Sequence, residues 1–173
     1  TGASRGIGRA IAERFAIEGA NVVCVARTVN EGDSRAPGAL STTLEGIRAA
    51  GGEAQMVVAN LGEEEECLRI VEETHSAYGK IDILVNNAGI VGTDTPVSDL
   101  QIDVWNRVLE INLTGTFLFC KAALPLLLET QGSITNTSST AAVSGIPYGA
   151  AYGASKGGGG SAPSRPTSSP SSS

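Results

Sequence analysis

Tyr152 and Lys156 stand four residues apart in a chain of 173 residues, so on a helix they share a face and reach the same bound molecule. A phenol alone gives up its proton only near pH ~10. An ammonium beside it favours the phenolate, which makes the pair an acid–base device. At the other end of the chain, Thr1-Gly-Ala-Ser-Arg-Gly-Ile-Gly8 opens a helical pattern. Gly2 permits a tight turn, Gly6 lets backbone approach a pyrophosphate, and Gly8 allows the helix to pack closely. Free N–H groups at the helix start then suit phosphate oxygens.

Between these two ends helical and strand patterns alternate, the signature of a parallel sheet covered by helices. Gly6 to Glu18 sets Ile7, Ile11 and Phe15 on one face and stops at Gly19. Asn21 to Ala26 reads as a buried strand, and the polar stretch after it, with Asn30, Gly32, Asp33, Pro37 and Gly38, as a long loop. A helix from Leu40, with Leu44 and Ile47 inward, runs to Gly51-Gly52 and precedes a strand over Ala54 to Ala59. Glu63 to Tyr78 carries Cys67, Ile70, Val71, Thr74 and Tyr78 on one stripe. Its acidic run Glu63 to Glu66 lies at the positive end of the helix dipole. Strands over Ile81 to Val85 and Ser133 to Thr137 flank a long helix from Val104 to about Leu128, with a bend expected at Pro125. The order predicts an α/β fold: a Rossmann-like, doubly wound parallel sheet with helices on both faces. It is expected to be incomplete, with one strand missing in front of Thr1.

A chain of this length with 41% hydrophobic residues buries a core as one domain. Twelve basic against eighteen acidic residues leave a net charge of -6, a poor match for nucleic acid or an anionic membrane. The longest nearly apolar run, Ala122 to Leu128, contains Pro125 and follows Lys121. It is far shorter than the roughly 20 residues that span a bilayer, so no membrane association is expected. Cys24, Cys67 and Cys120 are odd in number, far apart and set in apolar stretches, and His75 is the only histidine. Neither a disulfide framework nor a metal site follows, and a reducing cytoplasm is the expected compartment.

The T-G-x-x-x-G-x-G turn, Asn86-Asn-Ala-Gly89, Asn112, Ser139 and Tyr152-x-x-x-Lys156 occur in that order over nearly all of residues 1–156. In this the chain resembles the short-chain dehydrogenase/reductase family, including 3-oxoacyl-[acyl-carrier-protein] reductase-like members. The resemblance implies hydride transfer between a nicotinamide cofactor and a small-molecule ketone or secondary alcohol. Tyr152 is then the proton donor or acceptor, Ser139 orients the carbonyl oxygen, and Lys156 holds the ribose. Asn112 is implied to hold a water that links Lys156 to solvent. Gly2, Ala3, Ser4, Arg5, Gly6, Ile7 and Gly8 are implied to cradle the phosphates. Asn60 and Leu61 are implied at the adenine, and Asn87, Ala88 and Gly89 along the ribose. In the family an acidic residue after the second strand selects NAD, whereas this chain has Ala26-Arg27 there and Arg5 in the turn. Guanidinium groups pair with a 2'-phosphate, so NADP(H) is expected over NAD(H).

The same resemblance implies a C-terminal third that this chain lacks. Residues 1–156 read as a partial dinucleotide-binding and catalytic domain, and residues 157–173, rich in Gly, Ser and Pro, as a disordered tail. The glycine run behind Lys156 is expected to stop the helix within a turn, since each glycine costs about 1 kcal/mol relative to alanine. Intact relatives are expected to form tetramers or dimers through the long helix and the helix after Tyr152. A non-catalytic dinucleotide-binding fragment stands as the alternative reading.

Overall fold

A computed structural model of the chain describes residues 1–159. The elements run α1 (Gly6–Ile17), β1 (Val22–Ala26), α2 (Leu40–Ala49), β2 (Ala54–Val58), α3 (Glu64–Tyr78), β3 (Ile83–Asn86), α4 (Ile102–Leu109), a π-helical turn (Glu110–Thr114), α5 (Gly115–Thr130), β4 (Ser133–Asn136), a 3₁₀ turn (Thr140–Ala142) and α6 (Ala150–Gly159). All pairing is parallel, Val22 opposite Ala54 in β1–β2 and Ile83 opposite Ser133 in β3–β4. The described strands form two separate two-stranded sheets rather than one. The break falls between β1 and β3.

Alternation along β1 divides the core into two layers, because neighbouring strand residues point to opposite faces. Cys24 and Ala26 pack with Ala12 and Ala16 of α1 and Leu40, Leu44 and Ile47 of α2. Val25 joins Val57, then Cys67, Ile70 and Val71 of α3 and Phe119, Ala123 and Leu127 of α5. The α3 stripe and the inward Leu44 and Ile47 are as the periodicity predicts. The α1 face is not: Gly8, Ala12 and Ala16 are its buried residues, while Ile7 is 64% exposed. Small residues let α1 approach α2 closely, and Ile11 and Phe15 turn towards the break between the sheets.

The long helix also departs from expectation. α5 continues unbroken through Pro125, and the irregular turn is the π segment at 110–114. Together these stretches form a helix from Ile102 to Thr130, long and apolar enough by length and composition to cross a membrane. The expectation that no apolar helix reaches that length is thereby corrected. The helix instead serves as a core element, its Leu118, Phe119, Ala123 and Leu127 buried in the α3 layer and Lys121 paired with Glu64 at 2.7 Å.

At the other end, Gly157 to Gly159 are helical, not the beginning of a disordered tail. Close packing explains it: a Cβ on Gly158 would sit 3.0 Å from the Leu113 side chain, and the Ser138 hydroxyl donates to the Lys156 carbonyl. The expectation for 160–173 lies outside the described residues.

Candidate active site

The glycine turn is anchored from both sides. The Thr1 hydroxyl accepts the N–H groups of Asn87 (3.0 Å) and Ala88 (3.1 Å), and the Asn87 amide donates to the Thr1 carbonyl. Gly2 adopts a left-handed φ of +69°, and a Cβ there would lie 2.9 Å from Ala88 Cα. A Cβ on Gly8 would overlap the Gly2 carbonyl oxygen and the Asn87 amide. Gly8 therefore packs against the turn itself and the loop after β3, rather than against a strand. By contrast, a Cβ on Gly6 would meet nothing within 4 Å. Arg5, the residue flanking the start of α1, provides no side-chain cap, so the first-turn N–H groups of α1 remain available to an anion.

These features converge on a cavity of about 450 Å³. Gly2, Ser4, Arg5, Gly6 and Ile7 line it from the turn, Arg27 from the end of β1, Asn60 and Leu61 after β2, and Asn87, Ala88 and Gly89 after β3. Ala3 and Gly8 lie behind this wall, Ala3 donating its N–H to the Val25 carbonyl at 3.1 Å. The sequence reading missed Ala26, Thr28, Ser34, Ile90 and Ile111 as site residues, and these complete the lining. Thr28 and Ser34 fall in the long loop, where no periodicity places a residue. The volume and the uncapped helix start fit a dinucleotide.

Arg5 and Arg27 differ in state. The Arg5 guanidinium donates to the Ala36 carbonyl (2.7 Å), the Thr28 hydroxyl (3.1 Å) and the Gly38 carbonyl (3.3 Å), fastening the 28–38 loop to the turn. Glu31 fastens the same loop to α2, accepting from the Gly38 N–H and the Thr42 hydroxyl. The Gly38 bond first and the Thr42 bond second hold its carboxyl below the usual carboxylate range. Arg27 is exposed, at the cavity edge. Asn60 is held at both ends of its amide, donating to Glu63 (2.6 Å) and accepting from Arg107 (3.0 Å).

On the other side of Gly89 lie Tyr152 and Lys156. Lys156 is buried, donates to the Thr137 carbonyl at 2.8 Å and stands 5.8 Å from the Tyr152 ring centroid. Burial lowers its pKa from the ordinary lysine value. A Cβ on Gly89 would be 3.5 Å from the Lys156 ammonium and 3.2 Å from Asn112 Oδ1, which joins this group to the cavity. Ser139 caps the 3₁₀ turn by accepting the Ala141 N–H. That turn packs on α6: a Cβ on Gly153, next to Tyr152, would come 3.2 Å from the Ala141 carbonyl. A second, mostly apolar cavity of about 460 Å³ opens here, lined by Val97, Ala141, Ile146, Tyr148 and Gly153 among others.

Asn112 sits in the π turn, and its side chain works within the protein. It accepts the Ile90 N–H (2.8 Å) and donates to the Ile90 carbonyl (2.8 Å) and the Ser155 hydroxyl (3.0 Å). The amide thus ties the loop after β3 to α6. Asn112→Ala should cost about 1–3 kcal/mol, because it strands the part-buried N–H and carbonyl of Ile90. Urea unfolding measures this directly, and a loss under about 1 kcal/mol would show that the clamp is not structural.

Among the described residues no group of three His, Cys, Asp or Glu side chains comes together to hold a metal. The model of the family "short chain dehydrogenase" matches residues 1–162. The chain is 40% identical over 159 residues to a 3-oxoacyl-[acyl-carrier-protein] reductase of Synechocystis sp., covering 91% of this chain and 61% of that protein. Among solved structures, an NAD+-bound xylitol dehydrogenase is 39% identical with a TM-score of 0.81, covering 91% of this chain and 58% of the other. A metagenomic short-chain oxidoreductase in complex with NADP is 35% identical with a TM-score of 0.84, covering 92% and 69%. The chain therefore spans little more than half the length of most relatives it matches. Both solved neighbours hold a nicotinamide dinucleotide, and in this chain the glycine turn, the Asn-Asn-Ala-Gly loop and the Tyr–Lys helix approach one another around Ala88 and Gly89. The chain belongs to the short-chain dehydrogenase family.

Proposed function

We propose that this site carries out NADP(H)-linked interconversion of a ketone and a secondary alcohol. The carrying observation is that the dinucleotide cavity and the Tyr152–Lys156 pair meet at Gly89. When bound, the nicotinamide supplies the hydride acceptor or donor. The turn and Arg27 hold the phosphates, and Asn60, Leu61 and Asn87 flank the adenosine and ribose. Tyr152 passes a proton at its phenolic oxygen, Ser139 orients the carbonyl oxygen, and Lys156 stands at the ribose and favours the phenolate. The apolar second cavity favours a largely uncharged substrate.

Arg27, exposed at the cavity edge, supports a preference for the 2'-phosphate. NADPH should bind about tenfold or more tightly than NADH, in line with about 1.5–3 kcal/mol for a charge-assisted hydrogen bond. Arg27→Asp should narrow or reverse the gap. Fluorescence titration with both cofactors tests it, and equal affinities before mutation would remove the NADP assignment.

Two further readings rest on the surface and the thiols. Ile102, Phe117 and Leu128 are exposed on the long helix, which favours a dimer or tetramer of the intact protein. The three cysteines are free and buried, and burial pushes Cys24 and Cys67 up to about 11. Such inert thiols suit a reducing cytoplasm, and the net charge of -6 argues against nucleic acid or anionic lipid as a partner.

A further inference from the structure

Asn60 follows β2 and lines the cavity beside the glycine turn, while Arg107 of α4 and Glu63 at the start of α3 stand outside that lining. Arg107 donates through Nη2 to the Asn60 side-chain oxygen at 3.0 Å, and the Asn60 amide nitrogen donates to Glu63 at 2.6 Å. These partners leave the amide one orientation. A guanidinium only donates and a carboxylate only accepts, so the oxygen must face Arg107 and the nitrogen Glu63. A positive group at the oxygen and a negative group at the nitrogen also polarise the amide in the same sense. Arg107 is held in turn through its other terminal nitrogen, Nη1 donating to Glu110 at 3.0 Å. The turn that carries Asn60 is pressed onto the helix running from α4 into α5: a Cβ on Gly62 would overlap the Glu110 carboxylate, and one on Gly115 the Leu61 carbonyl oxygen.

On the dinucleotide reading of this cavity, on which the assignment rests, we propose that Arg107 is a positioning residue for base selection. It fixes the Asn60 amide so that the site prefers a 6-aminopurine over a 6-oxopurine dinucleotide. An amide oxygen has a second lone pair and an amide nitrogen a second hydrogen, beyond those given to Arg107 and Glu63. They match the 6-amino donor and the N7 acceptor of adenine, the pairing by which an asparagine reads that base. Hypoxanthine carries an acceptor oxygen at position 6, so the fixed amide oxygen would face it acceptor to acceptor. Turning the amide over would relieve that repulsion only by setting its nitrogen against the guanidinium and its oxygen against the Glu63 carboxylate. Arg107 thus acts through Asn60 and not on the base.

The test titrates the 173-residue chain with NADPH and with reduced nicotinamide hypoxanthine dinucleotide phosphate, following nicotinamide fluorescence. The parent should bind NADPH about tenfold or more tightly, the size of one well-made asparagine–adenine pair. Arg107→Met should bring the two affinities within about threefold, and Arg107→Lys, which restores a donor, should recover part of the gap. Loss of a positive charge weakens attraction for both dinucleotides alike, and partial unfolding lowers both apparent affinities by the same factor. The ratio therefore reads the orientation of the amide alone. Asn60→Ala should erase the gap by itself, which keeps the test independent of whether Arg107→Met folds, and adding Arg107→Met to it should leave the ratio unchanged. Equal affinities in the parent, or a parent-sized gap in Arg107→Met or Asn60→Ala, overturn the assignment while leaving the cofactor reading in place. Binding of neither dinucleotide by the parent overturns both.

Discussion

Gly8→Ala should weaken dinucleotide binding by about 100-fold, or about 2.7 kcal/mol, a larger effect than any substitution on the cavity surface. The added methyl cannot be accommodated by a rotamer change, because its neighbours are the Gly2 carbonyl and the Asn87 amide. Either α1 moves away or the turn opens, and both outcomes displace the N–H groups that face the phosphates. Asn87 would be pushed from Thr1, loosening the loop that carries Ala88 and Gly89. Gly51→Asn provides the contrast. Gly51 has a φ of +81° but nothing within 4 Å of its Cβ position, so cofactor affinity should stay within about twofold. Calorimetric titration of NADPH on the two variants decides the matter: similar affinities would show that the turn is not set by contact at Gly8.

The residues that line the cavity beside the glycine turn were legible because each lies where a periodic segment begins or ends. The turn before α1, Arg27 after β1, Asn60 after β2 and Asn87 after β3 are all at the C-terminal ends of strands or the start of a helix, the rim where parallel folds place ligands. What was not legible depends on tertiary contact. Ile7, Ile11 and Phe15 recur at helical spacing, yet the buried stripe is Gly8, Ala12 and Ala16, because Gly8 packs on the turn and the Asn87 loop while Ala12 and Ala16 meet α2. The π turn around Asn112 leaves no mark in hydrophobic period, and only the demands of Ile90 and Ser155 account for it. Pro125 lacks the donor that an unbroken helix would use, but packing of α5 on α3 and β3 outweighs that single loss. The helical glycines at 157–159 teach the same lesson: propensity predicts a stop, and contact with Leu113 overrides it.

The two halves of the site are coupled through few atoms. Asn112 joins the loop after β3 to α6, and the Lys156 ammonium reaches from α6 to the Thr137 carbonyl beyond β4. Any opening of the break between β1 and β3 therefore separates the glycine turn from the Tyr152–Lys156 pair, since Thr1 to Ala3 bond to both sheets there. Turnover by the 173-residue chain is accordingly expected well below the roughly 1 per second of an ordinary enzyme. Cofactor binding survives better, because the turn and the Asn87 loop are held together by three hydrogen bonds to Thr1.

Against that low background, Tyr152→Phe should remove about 10²- to 10⁴-fold of whatever ketone-dependent NADPH oxidation is measured, the range for loss of a positioned acid–base group. The ring is half-buried on α6 with Lys156 5.8 Å from its centroid, and phenylalanine preserves that packing. Melting temperature and NADPH affinity should therefore remain unchanged while turnover falls. Lys156→Met is expected to behave differently. It deletes the ammonium that donates to the Thr137 carbonyl, so it should weaken cofactor binding as well as turnover. Burial lowers the pKa of Lys156, so raising the pH discharges it earlier than an exposed lysine. The support for phenolate should then fade on the alkaline side, in the parent chain and not in Lys156→Met. Single-turnover oxidation of NADPH with a panel of apolar ketones, in this chain and in one extended to the length of its relatives, separates these effects. Equal rates for Tyr152→Phe and the parent in both chains would show that the proton moves through another group.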